Sequence, residues 1–377
     1  MARFSVCCQR RVTKKQLLLT FMMGVVLYNE WLTYAATTLS WPHLTTPSEE
    51  SVRLLLVADP QILSLISDSE PIFPFSLITV WDADRYVSRG FQMALWKTKP
   101  DIVVYLGDLL NDGSIFNDTD FYSTLQHFKN LLTVPDYVKH TIAVPGDNDI
   151  GGEGEDLVTP HKVKRFYSSL NQSMTLQYKF VDFIQLRAMD DYEFPDNTLA
   201  PVKGRIRILL SHMPLLTRTK KRIRLEIIRQ KASFIFSGHD HDSFHFTSTK
   251  QAAHAHSFEV LPKEQQVWQY ESLGPLLHEI SVPTCSYRMG KLTAGYGAAI
   301  IEKSGRITYT VLWLPSRFTQ LWIYLGALGF IIVIMLLPGI LCLLRCFLCR
   351  PVQFCVLRSN MIVQGLRKRY KWLLRKG

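Results

Sequence analysis

The sequence predicts an α/β layered domain held between two apolar segments. Three observations carry that expectation. Short β-rich runs alternate with longer helical stretches through the middle of the 377-residue chain, the order of elements in a layered α/β fold. Five of the predicted strands end on a carboxylate or an imidazole. Apolar stretches bracket this central region on both sides.

The elements run as follows. "RLLLVAD" (53–59) is the first strand and ends at Asp59. A helix is expected from Tyr86 to Trp96, then the strand "DIVVYLGD" (101–108), ending at Asp108. A second helix, Thr119 to Leu132, leads to "HTIAVPGD" (140–147), which stops at Asp147 and Asp149. A third helix covers His161 to Leu170. The strands "KFVDFIQLRAM" (179–189) and "RIRILLSH" (205–212) follow, the latter ending at His212. A fourth helix, Lys221 to Gln230, precedes "SFIFSGHDH" (233–241), with His239 and His241 at its end. "EISVPTCSY" (279–287) and a hairpin over 297–314, turning at Lys303-Ser304-Gly305, complete the set. Ligands in layered α/β folds bind outside the carboxyl ends of strands, where loops from different strands converge. One strand-end Asp or His is an ordinary turn or capping residue. Five in order, each beside Gly or Pro, point to a site.

The flanks are of another kind. Phe318 to Leu344 is 27 residues without a charge, more than the roughly 20 that cross a bilayer. Near the N-terminus, Gln16 to Tyr28 is apolar and follows Arg3, Arg10, Arg11, Lys14 and Lys15; Asn29 and Glu30 interrupt the run, which resumes to Trp41. Such a segment is either a cleaved signal peptide or a signal anchor, and the resumed run together with the second apolar segment favours the anchor. The expected plan is a basic tail (1–16), an anchor (17–39), a central domain (40–316), a second span (318–344) and a basic tail (345–377).

The net charge of +11 is not a nucleic-acid footprint. Residues 1–39 carry five basic and one acidic residue, 40–316 carry 28 and 31, and 317–377 carry ten and none. The excess therefore flanks the apolar segments, the positive-inside pattern. This puts both tails in the cytosol and the central domain in a lumen, with no nucleic-acid partner. The sequons Asn117-Asp118-Thr119 and Asn171-Gln172-Ser173 agree with a lumenal, glycosylated domain. Of the seven cysteines, only Cys285 lies in the central region, which leaves no disulfide to form there. Cys342, Cys346, Cys349 and Cys355 sit at the end of the second span, where palmitoylation is one reading and unmodified thiols another.

Taken together, "ADPQ" (58–61), "LGDLLNDG" (106–113), "PGDND" (145–149), "SHMPL" (211–215) and "SGHDH" (237–241) resemble the calcineurin-like metallophosphoesterase family. The ordered set spans Arg53 to Asp242. Within it, "ADPQI", "GFQMALWKTKPDIVVYLGDLLNDG", and "GHDHDSFH" with "ISVPTCSYRMG" resemble the branch that remodels glycosylphosphatidylinositol (GPI) anchors.

The resemblance implies a four-layer α/β/β/α sandwich of two mixed sheets. It also implies hydrolysis of an ethanolamine-phosphate diester on a mannose of the anchor, in the early secretory pathway, between the endoplasmic reticulum and the cis-Golgi. GPI-anchored proteins would be the substrates, with two divalent cations, Mn²⁺ first among them, as cofactors. Two cations bind the non-bridging oxygens and activate water for attack, and mixed oxygen and imidazole ligands suit Mn²⁺, Fe or Zn²⁺. Carried over by position, Asp59, Gln61, Asp108 and His241 surround one cation and Asp108, Asp147, His212 and His239 the other, with Asp108 bridging.

Three positions depart from the family pattern. Gln61 replaces an imidazole by an amide, and Asp147 stands where the family has Asn. Asn148 occupies the place of the loop His that protonates the leaving group, a function typically worth about 10²–10⁴ in rate. Asn148 is expected to orient phosphate. Asp149 reads either as a replacement acid or as a residue that hydrogen-bonds its own loop. His161 and His245 are further candidate acids. A second class of function, a metal-loaded inactive binder of GPI-anchored cargo, therefore stands beside the enzyme, as does a phosphoesterase for another lipid or a nucleotide.

Other stretches read more plainly. Residues 217–231 form an amphipathic helix with Ile223, Leu225, Ile227 and Ile228 inward and a solvated basic face. Residues 69–86 either rim a glycan site or pack near the membrane. Residues 251–274 read as an insertion or mobile loop, with His254 and His256 on the surface. The tail 365–377 is basic and amphipathic, suited to anionic headgroups or to a coat or cargo-receptor contact.

Overall fold

The computed structural model describes residues 13–45, 48–64, 74–186, 202, 204–217 and 220–373. Their elements are α1 (Lys14–Leu27), a π-helical turn (Tyr28–Leu32), α2 (Thr33–Ser40), β1 (Val52–Val57), α3 (Phe75–Thr98) and β2 (Ile102–Tyr105). Next come α4 (Asp118–Leu131), β3 (His140–Ala143), α5 (Asp147–Ile150), α6 (Pro160–Leu170), β4 (Thr175–Tyr178), β5 (Val181–Gln185) and β6 (Ile206–Leu210). The remainder are α7 (Lys221–Gln230), β7 (Phe234–Ser237), β8 (Phe244–Thr249), β9 (Ser257–Val260), β10 (Trp268–Glu271), β11 (Leu276–Ser281), β12 (Gly295–Ile301), β13 (Arg306–Trp313) and α8 (Arg317–Leu373). The chain divides into two compact units, Leu32–Phe318 and the segments that flank it.

Two mixed sheets build the Leu32–Phe318 unit. Six strands run in the order β10-β13-β12-β1-β2-β3, and seven in the order β4-β5-β6-β7-β11-β8-β9. In the first, β1, β2 and β3 are parallel and β12 runs antiparallel to β1. In the second, β5, β6, β7 and β11 are parallel. Parallel neighbours deliver their carboxyl ends, and the loops that follow, to one edge of each sheet.

The period-2 alternation of a strand sends successive side chains to opposite faces, and here both faces are apolar. Leu54, Leu56, Ile102 and Val104 meet Ile208, Leu210, Phe234 and Phe236 between the sheets. Leu55, Val57, Val103 and Tyr105 face the other way, against Tyr86, Phe91, Phe121, Phe128 and Phe166 of α3, α4 and α6. Leu209 and Ile235 pack on Ile223 and Ile227 of α7. Helices therefore lie on the outer face of each sheet, as the resemblance implied. A strand buried on both faces reads as a continuous apolar run, which is why "RLLLV" and "IVVY" were legible.

Several boundaries differ from the sequence expectation. Helix α3 begins at Phe75, eleven residues before Tyr86. Residues 251–274 are not a loop throughout: β9 and β10 lie within them, and β8 precedes them. These are short strands near sheet edges; β9 is exposed along its whole length, so burial left no apolar imprint on it. The predicted strand 179–189 ends as β5 at Gln185, and its last residues lie outside the described set.

In the flanking unit, Asn29 and Glu30 do not end the N-terminal helix. The chain passes them in the π-helical turn, where Asn29 Nδ2 donates to the carbonyl of Gln320 at 2.9 Å. Gln320 Nε2 returns a bond to the carbonyl of Asn29 at 2.8 Å, and the Tyr324 hydroxyl donates to Glu30 at 2.7 Å. Lys14–Ser40 and Arg317–Leu344 are long and apolar enough to cross a membrane. Helix α8 continues to Leu373, past the expected end of the span at Leu344.

Candidate metal centre

The loops at the carboxyl ends of β1, β2, β3, β6 and β7 bring five predicted residues together. Ligand atoms of Asp59, Asp108 and His212 lie within 4.8 Å of one another, and so do those of Asp147, His212 and His239. The carboxylates come from loops of the first sheet and the imidazoles from loops of the second. All five side chains are buried except that of His239, which is partly exposed.

The backbone at these strand ends is unusual. Asp59 (φ 49°), Gln61 (41°), Asp108 (51°), His239 (69°) and His241 (62°) all occupy the left-handed region. Each such residue costs about 1–3 kcal/mol relative to ordinary backbone, and clustering at one edge marks a site held by its surroundings. Two glycines make room for it. A Cβ on Gly107, itself at φ 97°, would lie 2.4 Å from His212 Nδ1, and one on Gly146 would lie 2.0 Å from Asp108 Oδ1.

His212 is at the centre. Its Nδ1–H donates to the Leu106 carbonyl at 2.8 Å, and its Nε2 lies 2.9 Å from Asp147 Oδ1 and 3.4 Å from Asp108 Oδ1. His239 Nδ1 is 3.2 Å from the same Asp147 oxygen. Burial works against the charged imidazole of His212, yet Asp108, Asp147 and Asp59 together raise it well above the usual histidine range. Burial also opposes ionisation of Asp147, but hydrogen bonds from His212 and His239 hold its carboxyl well below the usual range. Asp108 and Asp59 are raised, first by burial.

Asp59 is the sharpest test of whether cations fit. It is fully buried, and neither carboxylate oxygen meets the geometry of a hydrogen bond with any of the described residues. The nearest positive group is His212 Nδ1 at 3.8 Å, already engaged with Leu106. A buried carboxylate without well-formed hydrogen bonds calls for a coordinating cation. With Asp108 and Asp147 beside it and two imidazoles opposite, the donor set fits hard or borderline divalent ions.

The remaining predicted residues fall out differently. Gln61 donates its amide Nε2–H to Asp108 Oδ2 at 3.1 Å and so helps to fix that carboxylate. Asn148 also serves Asp108: its backbone N–H donates to Oδ1 at 3.0 Å and its side-chain amide to Oδ2 at 2.9 Å. Asn148 thus orients the Asp108 carboxylate. His241 lies outside both ligand clusters; burial first, then His239, push its imidazole down to about 4. His212 is common to both clusters, and Asp108, expected to bridge, belongs to the one with Asp59.

Asp149 takes the loop-holding role. Its carboxylate accepts from Gly146 N at 2.9 Å and from Leu109 N and Leu110 N at 3.1 Å each, tying the loop after β3 to that after β2. Burial raises it to about 7. The other candidate acids are spent elsewhere. His161 is exposed beside Asp118 at 3.4 Å. His245 lies 3.0 Å from His278 and packs on Tyr270.

Two residues escaped the sequence reading. The Glu153 carboxyl hydrogen-bonds the Asp147 side chain, and that contact raises it; its only sequence signal was an acidic residue in the Gly-rich "GGEGE". Glu279, fully buried on β11, accepts from Leu215 N and Leu216 N at 2.7 Å each and so holds the loop after His212.

Comparison with known proteins agrees with this geometry. The calcineurin-like phosphoesterase family matches residues 52–243, from β1 to the loop beyond His241. Metallophosphoesterase 1 of Pongo abelii is 24% identical over 182 residues, 46% of this chain and 43% of that protein. The Danio rerio protein of the same name is 27% identical over 191 residues, 49% and 46%. Cell division control protein 1 of Saccharomyces cerevisiae is 23% identical over 302 residues, 69% and 56%. The chain thus spans less than half the length of the Metallophosphoesterase 1 relatives it matches. A crystal structure of a metallophosphoesterase from Sphaerobacter thermophilus is 12% identical, with a TM-score of 0.37 over 71% of this chain and 90% of that one. The family match runs from the first strand through the last histidine loop, and the chain belongs to the calcineurin-like phosphoesterase family, with similarity to Metallophosphoesterase 1 and Cell division control protein 1.

Proposed function

We propose that the protein is a metal-dependent phosphodiesterase that removes ethanolamine-phosphate from a mannose of GPI anchors. It would work from a lumenal domain in the membranes of the early secretory pathway. The observation that carries the hydrolase is the convergence of Asp59, Asp108 and Asp147 with His212 and His239 around a carboxylate that lacks a well-formed hydrogen bond among the described residues. The choice of substrate rests on the branch-like motifs "ADPQI" and "GHDHDSFH". The two candidate spans, the basic flanks and the exposed sequon residues Asn117 and Asn171 support the lumenal, membrane-held placement.

Asp59, Asp108, Asp147, His212 and His239 would hold two divalent cations, Mn²⁺ by the resemblance. Ions held there supply Lewis acidity and neutralise charge on a phosphodiester. The chain's own residues do the rest. Gln61 and Asn148 fix both oxygens of Asp108, and Leu106 fixes the His212 ring. Asp149 and Glu279 hold the loops on either side. With Asn148 in place of the loop imidazole, no side chain of that loop hands a proton to the departing alkoxide, so turnover is slow with a poor leaving group such as a sugar hydroxyl.

The purified full chain with Mn²⁺ should hydrolyse bis-p-nitrophenyl phosphate, whose leaving group needs no proton. Asn148→His should raise the rate toward poorer leaving groups. A second reading, a metal-loaded binder of GPI-anchored cargo, is favoured by the commitment of the Asn148 amide to Asp108. It prevails if neither form turns over while the protein retains anchor glycan. Anchor glycans from cells with and without the protein test the substrate: a retained ethanolamine-phosphate adds a distinct mass.

A further inference from the structure

Helix α3 presents two opposite faces. Val87, Phe91 and Ala94 are buried against the first sheet, and Val80 and Ala83 pack with Leu63 and Tyr287. The other face carries Phe75, Ile78, Trp81, Arg85, Arg89 and Trp96, spaced three, four or seven residues apart and so aligned in one stripe. Phe75 is 66% exposed, Ile78 58%, Trp81 60% and Trp96 68%. A groove of about 650 Å³ runs between the two tryptophans, with the Arg85 guanidinium 4.6 Å from the Trp81 ring centroid. An apolar stripe of this kind marks a surface that meets something.

The other contacts of α3 within the Leu32–Phe318 unit indicate what covers it. Tyr34, on α2, packs edge-on against Tyr86 with centroids 6.4 Å apart, and Arg89 lies 4.9 Å over its ring. Arg317, the first residue of α8, is buried and hydrogen-bonds both oxygens of Asp82. The Tyr86 hydroxyl donates to the Pro315 carbonyl at 3.0 Å. The chain therefore enters this unit from one apolar helix and leaves it for the other beside the same helix. Asp82 and Tyr86, which receive those contacts, immediately follow Trp81 and Arg85 of the stripe. Both junctions of this unit with the apolar segments therefore contact α3. Indole rings favour the headgroup level of a bilayer, and guanidinium groups pair with phosphate oxygens.

We propose that α3 is an interfacial helix. Trp81 and Trp96 anchor in the headgroup layer, and Arg85 and Arg89 face lipid phosphates. This rests on the reading of Lys14–Ser40 and Arg317–Leu344 as spans. The test separates the two. The full chain is placed in nanodiscs of brominated phosphatidylcholine, and each emission component is read as the difference between wild type and a Trp→Phe variant. Trp322→Phe reports the span and Trp268→Phe the buried interior. The components removed by Trp81→Phe and Trp96→Phe should lose roughly half or more of their emission to brominated lipid, as expected of indoles at the interface, while the Trp268 component keeps its own. If the Trp322 component is quenched but those of Trp81 and Trp96 are not, the interfacial assignment is overturned and the spans stand. If the Trp322 component is unquenched as well, the membrane reading falls with it.

Discussion

Replacing Asp59 by Asn should stabilise the metal-free protein and weaken the stabilisation that metal brings. The carboxylate is fully buried, lacks a well-formed hydrogen bond among the described residues and is crowded by Asp108 and Asp147. Burying such a group unsatisfied costs about 1–3 kcal/mol, and more when charged. An isosteric amide removes the charge, so the EDTA-treated variant should be more stable by about that amount, or roughly 2–8 °C in melting temperature for a domain of this size. In Mn²⁺ that advantage shrinks or vanishes. A cation at a hundredfold excess over its dissociation constant contributes about 2.7 kcal/mol, and a tenfold weaker site gives back about 1.4 kcal/mol of it. The measurement is thermal unfolding of the purified full chain in EDTA and across a Mn²⁺ titration. A variant that melts lower in EDTA yet keeps the full Mn²⁺-induced rise would refute the reasoning, because Asp59 would then be a structural carboxylate and no ligand.

Three other outcomes follow from the same geometry. Gly146→Ala places a Cβ 2.0 Å from Asp108 Oδ1, so the variant should lose Mn²⁺ binding by metal analysis even where circular dichroism shows a folded chain. Glu279, raised by burial from 4.5 to about 7, keeps its proton in the folded protein after the unfolded chain has lost it. Its contribution is fully present below pH 4.5 and fades as pH rises through about 7, a change on the order of 3 kcal/mol; Glu279→Gln should flatten that part of the melting-temperature profile between pH 5 and 7.5. Arg317→Met leaves the buried Asp82 without its cation and should cost about 3–5 kcal/mol, most of which the double variant with Asp82→Leu should recover, as read from melting temperatures.

The chain announces its strands where both faces are buried, because β1, β2, β6 and β7 then read as unbroken apolar runs. It also announces the site, because Asp59, Asp108, His212 and His239 each close such a run. What stayed hidden was set by contacts distant in sequence. Helix α3 begins early because Phe75, Ile78 and Trp81 face outward while their neighbours pack inward, a pattern that reads equally as an aromatic loop. Strands β8 to β10 owe their form to pairing, β8 with β11, β9 with β8 and β10 with β13, and their own residues carry little trace of it. The roles of Gln61 and Asn148 follow from where Asp108 stands, forty residues and more away in sequence. Glu279 gave no sign, since a carboxylate in a strand looks like any surface acid until its two backbone partners are known.

Because one sheet supplies the carboxylates and the other the imidazoles, neither half of the fold can grip an ion alone. Strand β1, which delivers Asp59, is flanked by β12, made of residues Gly295–Ile301. A ribosome must therefore release nearly the whole central domain before the carboxylate side is complete. Loading with metal is then a final act of maturation, and in a chain arrested at Gln230 the three carboxylates should remain indifferent to Mn²⁺.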